Sequence, residues 1–568
     1  MPDSNYATSS QSGARTARQV ADNYVTELAG LDPLWSTRLG LRPGEDRLPD
    51  FSPAGHEATS DLARATLAAL AGASTGDPDD RRCGRLLRER LEAELAMADT
   101  GEYFRQISNL YGPPQVVRSN FLDMPASTPA DWAAIATRMS RMPAAMAGYR
   151  TTLREGLSRG LIAGPRAVRT VIGQLGDWAA AGEGKGWFAQ FAATADVRES
   201  LRAELDLAAA TAIAAITDLR DWMAAEYLPR TAGQPDGIGA ERYQVCARSY
   251  TGADLDLAEA YEYGWEQYRE LSEQMLSAAR IIVPGAAGAG EAFEYLNANG
   301  EAVEGVEEIR SRLQRMMDDA MAELDGTTFD LAEPVKTVEA RIAPAGSAAA
   351  PYYTAPSRDF SRPGRTWLPT LGRTRFPLWN LVSTWYHEGV PGHHLQLAHW
   401  RYLGDRLSLY QTSAGSVSAC SEGWALYAER LMDELGYLTD PGARLGYLDA
   451  QMLRAVRVII DIGMHTGAEI PSDSPLAPGQ TWTPDLAREF FGRNSGRPAD
   501  FIDSEIVRYL SVPGQAISYK LGERAWLEGR DAARAARGAA FDLKSWHMAA
   551  LSLGSLGLDD LAMELAAA

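Results

Sequence analysis

The stretch Trp385-Tyr386-His387-Glu388-Gly389-Val390-Pro391-Gly392-His393-His394-Leu395-Gln396 constrains this chain more than any other. A His followed at once by Glu, with another His a short helical stretch on, offers two imidazoles to a zinc ion. The carboxylate between them is left facing the water that the metal activates. In that chemistry the metal lowers the pKa of the water, and Glu388 takes its proton as it attacks a carbonyl carbon. The common form of the pattern places its histidines at i and i+4. Here the second is His393 at i+6 or His394 at i+7. On a regular helix i+7 lies two turns away, roughly 10 Å by the rise per residue, too far for both rings to reach one ion at about 2 Å. An i+6 residue points off the ligand face. Pro391-Gly392 relieves the conflict, because Pro removes a helical N–H and Gly tolerates unusual dihedrals. The expectation is a bulged turn that swings His393 beside His387, with His394 as the alternative. The competing account is a set of ordinary histidines on an unbroken helix. Against it, the chain has only seven His, and four fall between 387 and 399.

Two histidines and a water leave one zinc position for the protein. Glu422, in Ser421-Glu422-Gly423-Trp424-Ala425-Leu426-Tyr427-Ala428-Glu429, is assigned as that ligand. Glu429 shares its helix face seven residues on and is assigned to brace a ligand His or reach substrate; a solvated acidic face is the ordinary alternative. Arg457, Asp461 and His465 recur at i, i+4 and i+8 in an apolar helix and form a polar stripe. Charges in such surroundings are paired or functional. Either Arg457 and Asp461 make a structural ion pair, or the stripe serves the reaction, with His465 donating to the oxyanion of a tetrahedral intermediate. Tyr509 to Gly522 reads as a Pro513-Gly514 turn entering a helix. There Tyr519 is a second oxyanion candidate and Lys520 a candidate for a substrate carboxylate, against a packed Tyr and a solvated Lys.

Fold class follows from periodicity. Apolar residues at helical spacing mark segments near 20–28, 59–71, 81–97, 129–159, 165–181, 197–228, 255–282 and 301–324. Val335 to Ile342 alternates and reads as a strand; after a Gly/Ala/Pro loop comes Pro351-Tyr352-Tyr353-Thr354, and Arg365 to Leu368 is read as a partner strand. Such a ribbon ahead of the zinc helix either holds an extended peptide along its edge or is merely structural. From Leu378 the chain returns to helices. The expected architecture is mainly α: a disordered tail over 1–18, a helical lobe over 19–330 and a zinc-binding lobe over 331–568, together one unit. A net charge of −20 argues against nucleic acid or an anionic membrane as partner. No uninterrupted apolar run of about 18 residues offers a membrane span. The polar start of the chain and three widely spaced cysteines suit a cytoplasmic protein.

Taken together these residues resemble the bacterial family known as domain of unknown function 885. The matching pieces are His387-Glu388 with Pro391-Gly392-His393, and Glu422-Gly423-Trp424-Ala425 with Tyr427 and Glu429. Arg457 with Asp461, Gly463 and His465, and Pro513-Gly514-Gln515-Ala516 with Tyr519, match too. Leu31-Asp32-Pro33, Tyr352-Tyr353 and Arg362-Pro363-Gly364 are weaker echoes, so the likeness runs over nearly the whole chain. Trp546-His547-Met548 departs from the family's aromatic-His-acid pattern. The resemblance implies a helical fold with a deep cleft and a catalytic zinc of the gluzincin kind, held by two His and a Glu. The main expectation is a zinc hydrolase of amide bonds in short peptides. The alternatives are a zinc enzyme of secondary metabolism acting on a C–N bond of one small molecule, and a non-catalytic peptide binder. His394, Tyr353, Glu429, Arg457, Asp461 and Lys520 are the expected supporting or substrate-binding residues.

Overall fold

In the computed structural model, which describes residues 15–74, 76–180, 186–344 and 350–568, the first helix is Ala17–Leu31. It starts at Thr16, whose hydroxyl accepts from the Gln19 N–H while the Gln19 side chain accepts from the Thr16 N–H. Arg18 then pairs with Asp77 and Asp80. The tail expected over 1–18 is corrected at its end, because this reciprocal cap holds Thr16 onward in helix. Residues 1–14 of that tail lie outside the described residues.

Eight helices begin on Pro, among them Pro53–Ala71, Pro78–Thr100, Pro129–Ser140 and Pro441–Thr466. The first helical position needs no N–H donor, so Pro marks the boundary without cost there. The segment over 129–159 is two helices, Pro129–Ser140 and Met142–Arg159, with Pro143 at the start of the second. Helix Val306–Leu324 begins later than its periodicity suggests, because Ala302–Glu304 pairs as a strand with Arg375–Pro377.

A three-stranded sheet carries Gly364–Leu368 in its centre, parallel to Val338–Ile342 and antiparallel to Tyr352–Thr354. The first of these strands starts at Val338 rather than Val335, since Glu333–Lys336 forms a 3-10 turn. The Gln314 side chain takes up the outer edge of Val338–Ile342, donating to the Val338 carbonyl at 2.9 Å and accepting from the Ala340 N–H at 2.7 Å. That edge is therefore closed to an added peptide.

Buried apolar side chains gather in two clusters. One is built from residues 107–227 with Leu34, including Phe121, Trp132, Tyr149 and Trp222. The other joins Val20, Leu87, Trp265 and Met317 to Trp385, Trp424 and Trp526. The division into lobes at 330/331 does not follow these cores, because helix Leu257–Ile282 packs along helix Pro441–Thr466 across it. Gly264 allows this contact, since a Cβ there would meet Val458 and Ile459 at 3.1 Å.

His547 shows how the core uses its histidines. It is fully buried, its Nδ1 3.1 Å from the Thr328 carbonyl and its Nε2 2.7 Å from the Tyr427 hydroxyl. Nδ1–H thus donates to the carbonyl and Nε2 accepts from the Tyr. Burial lowers the ring to about 4. A base whose folded pKa lies below its unfolded value of 6.5 loses stabilisation as pH falls from 6.5 towards 4, because the unfolded chain takes up the proton first. The stability advantage of the wild type over His547→Gln, read from urea unfolding at a series of pH values, should be largest near neutrality. It should narrow by on the order of 1–3 kcal/mol on acidification to pH 4.5; an unchanging gap would exclude a neutral buried His547.

Candidate metal centre

The helix that carries His387 ends at Glu388, and a new one starts at His393. Between them Val390-Pro391 is cis, and the Gly392 N–H donates to the Tyr386 carbonyl at 2.9 Å. A Cβ on Gly392 would sit 1.9 Å from the His387 carbonyl oxygen, so only glycine lets the chain double back this tightly. The result is a full break rather than a bulge. It sets the rings of His387 and His393 4.9 Å apart, centroid to centroid, and nearly perpendicular. His394 points elsewhere: Nδ1 lies 2.9 Å from the Tyr353 hydroxyl and Nε2 2.7 Å from the Val335 carbonyl. With both nitrogens engaged away from His387, neither His394 nor Tyr353 stands among the candidate ligands.

Glu422 approaches from helix Ser418–Glu434. That helix crosses Ser518–Arg537 at glycine: a Cβ on Gly423 would lie 2.3 Å from the Gly522 carbonyl carbon. The Oε2 of Glu422 stands 3.3 Å from His387 Nε2 and 3.5 Å from His393 Nε2. Donors about 2.0–2.2 Å from a tetrahedral zinc are roughly 3.3–3.5 Å from one another, so both distances from Glu422 Oε2 match the spacing within one coordination shell. This Oε2 is buried and accepts no hydrogen bond among the described residues, and His393 Nδ1 is likewise without a partner, so the site holds two orphaned polar atoms. Glu388 completes the cluster, offering a carboxylate oxygen within 4.8 Å of donor atoms on both histidines. The residues therefore fit a divalent cation with N and O donors.

Glu429 lies two turns along from Glu422 and is wholly buried. Its Oε1 is 2.8 Å from His387 Nδ1, and its Oε2 accepts from the Ser383 hydroxyl. The two carboxylates thus bracket one imidazole, and Nδ1–H donating to Glu429 leaves the Nε2 lone pair for a cation. Burial opposes charge on His387, but Glu422 and Glu429 outweigh it and raise the ring to about 9. A proton and a metal compete for the same Nε2. Burial raises Glu388, against the pull of His387 and His393.

Tyr519 stacks 6.5 Å from His387, and its hydroxyl has no hydrogen-bond partner among the described residues. Burial, then Glu422, raises it to about 12, so the phenol stays a donor at neutral pH. The Arg457 guanidinium lies 4.7 Å from the ring centroid and that of Arg454 5.9 Å.

Three expected roles are corrected. Arg457 does not pair with Asp461: its Nε donates to the Tyr509 hydroxyl and its Nη2 to Glu505, at 2.8 and 2.7 Å. Asp461 instead accepts from the Tyr243 hydroxyl and the Gly514 N–H. It pins the Pro513-Gly514 turn that leads into the Tyr519 helix, and burial raises it to about 7. His465 is no oxyanion donor. It is wholly buried, stacked on Tyr243, and its Nε2 lies 3.0 Å from the Tyr509 carbonyl. Lys520 is buried too, held by Gln451 and Glu523, so no substrate carboxylate reaches it. The periodicity of a helix tells that residues share a face, not which neighbour that face meets. Glu505, Arg508 and Tyr509 went unnoticed beforehand. Their signal was available: Glu505-x-x-Arg508-Tyr509 places a charged pair on a helix face that is otherwise apolar.

Gly392→Ala tests the doubling back. The clash with the His387 carbonyl should cost about 1–3 kcal/mol of stability, a typical overpacking penalty, read from urea unfolding. A variant as stable as the wild type would contradict this geometry.

No curated protein matches this chain. Among solved structures, a putative lipoprotein from Colwellia psychrerythraea is similar to it, with a TM-score of 0.82 and 22% identity over 97% of this chain and 98% of that one. A putative lipoprotein of unknown function from Shewanella oneidensis is similar with a TM-score of 0.71 and 19% identity, over 97% and 99%. At these identities the likeness is one of fold. Among the described residues, no helix is long and apolar enough to cross a membrane. The profile described as "Bacterial protein of unknown function (DUF885)" matches residues 33–565, and the chain belongs to that family.

Proposed function

We propose that this protein is a zinc-dependent hydrolase of amide bonds, gluzincin-like in its ligand set, acting on short peptides. The observation that carries the reading is the orphaned Glu422 Oε2, 3.3 and 3.5 Å from the two imidazole Nε2 atoms. His387, His393 and Glu422 would hold the ion, which when bound polarises the scissile carbonyl and acidifies a water. Glu388 is the general base that takes the proton of the attacking water and returns it to the leaving amine. Its burial and raised pKa suit a group that must both accept and release a proton. Tyr519 donates its hydroxyl to the developing oxyanion. Glu429 fixes the His387 tautomer, and the Arg454 and Arg457 guanidiniums lie over the Tyr519 ring and help hold it. Exposure at the site is narrow, 13% for the His393 side chain and 21% for that of Glu422, which favours short or unfolded chains over folded proteins. The three cysteines are free and buried, and they support a cytoplasmic setting for this activity.

Elemental analysis of dialysed protein should find about one zinc per chain, lost in His387→Ala, as a site built on three protein ligands requires. Glu388→Gln should keep the zinc and lose roughly 10²–10⁴ in kcat on a dipeptide and tripeptide panel, the share of a general base. Undiminished turnover in this variant would sink the role of Glu388. A zinc-loaded wild type that turns over no member of the panel would point to one specific small-molecule substrate, and peptide affinity without turnover to a binding protein.

A further inference from the structure

At the seam between the two cores lies a cavity of about 260 Å³. Its walls come from residues 94–111, the start of helix Pro165–Ala180, helix Ala240–Thr251 and residues 510–513, which run on to Tyr519. Most of the lining is apolar or aromatic, with Met97, Tyr103, Ile107, Tyr250, Leu510 and Val512 prominent. Into it faces one guanidinium. The Arg105 side chain is only 11% exposed, and its nearest carboxylate oxygen, Glu102 Oε2, is 3.9 Å away. The other oxygen of Glu102 already takes two donors from Arg242. The Arg105 guanidinium is thus left without a hydrogen bond among the described residues.

The remaining titratable groups around the cavity do not neutralise it. Burial lowers His56 to about 4, so the ring, stacked 4.3 Å from Tyr103, is uncharged at neutral pH. Burial raises Glu94, whose carboxylate is turned to the Tyr24 hydroxyl at 3.1 Å. Burial likewise raises Cys246 and Tyr250, which stay protonated. Arg105 remains a cation in an apolar cavity, and its donors are unused. Glu102 offsets part of its charge, but buried donors that no oxygen takes up remain costly until an acceptor meets them. The Tyr250 hydroxyl, also without a partner among the described residues, stands ready as a second donor.

The cavity reaches the turn that leads into the Tyr519 helix. Pro513 lines it, the next residue, Gly514, is pinned by Asp461, and Tyr111 in its wall acts electrostatically on Tyr519. It is smaller than the roughly 300–1,000 Å³ of drug-sized sites, which suits a group the size of one amino acid. We propose that this cavity is a carboxylate-binding pocket, in which Arg105 and Tyr250 hold the acidic group of an apolar or aromatic moiety. As the recognition pocket of a peptide substrate it rests on the hydrolase reading above; as an anion site it does not.

The test is calorimetric titration of the full-length protein as purified, with 3-phenylpropanoate and its neutral analogue 3-phenylpropanamide. The acid should bind at least about tenfold more tightly than the amide, as a charge-assisted contact to a buried guanidinium allows. Arg105→Met should erase that preference, and Arg105→Lys should restore part of it. Ala98→Phe, which fills the cavity from another wall without changing charge, should block both ligands, with thermal melting reporting that each variant is folded. The preference should persist in His387→Ala, which separates this pocket from a carboxylate on the metal. Equal affinity for acid and amide, acid binding by Arg105→Met as tight as the wild type, or loss of binding in His387→Ala alone would overturn the proposal. Peptide turnover lost with acid binding intact would remove the hydrolase reading and leave the pocket.

Discussion

The contact on which the centre depends is the 2.8 Å hydrogen bond between His387 Nδ1 and Glu429 Oε1. A carboxylate with no solvent exposure is expensive to bury unless its oxygens are satisfied. Here Ser383 donates to one oxygen and His387 to the other, while the Arg454 guanidinium stands 3.7 Å off. His387 cannot rotate without stranding Glu429, and Glu429 cannot move without stranding Ser383 on the same helix as His387. The imidazole is locked by the energetics of burial, and its Nε2 is aimed before any ligand arrives. Preorganisation of this kind spares a bound group the entropy of ordering its ligands.

Around that lock, helix packing sets the remaining distances. Glu422 reaches the histidines only because helices Ser418–Glu434 and Ser518–Arg537 touch backbone to backbone at Gly423 and Gly522. A Cβ on Gly522 would lie 2.1 Å from the Ala419 carbonyl oxygen. The same crossing brings Tyr519, one turn before Gly522, within stacking range of His387. Two glycines thus place a carboxylate from one helix and a phenol from the other beside His387.

Much of this was legible in the sequence, and the limits were physical. Apolar spacing placed two helix starts late, at 59 and 81, where Pro53 and Pro78 at the first turn mark the true ones, and Thr16 with Gln19 carries the pattern of a capping box. Pro391-Gly392 signalled that the helix could not run through His393, but not that it would stop and restart, since the break depends on the Gly392 N–H finding the Tyr386 carbonyl. The Glu422–Glu429 spacing gave a shared face, and the structure adds that both carboxylates address one imidazole. The Arg457–Asp461–His465 stripe was real as periodicity, yet its partners came from sequence-distant Tyr243, Glu505, Tyr509 and Gly514. Intrahelical spacing carries no information about such contacts. Lys520 failed for the same reason: its neighbour three residues on, Glu523, took it into the core together with Gln451.

The polar layer behind Tyr519 explains why that residue keeps its proton and its place. Arg457 and Arg508 share the single carboxylate of Glu505, which their charges draw down against burial to below the usual carboxylate range. Tyr509 donates its hydroxyl to the same carboxylate and receives Arg457 Nε, so the four groups close a buried network. One guanidinium of that network faces the Tyr519 ring, where its attraction to the π face holds the ring without bonding the hydroxyl. The hydroxyl is therefore fixed in direction through the ring and left free at its oxygen. A direct hydrogen bond from Arg457 would have kept the direction and taken the freedom of the oxygen.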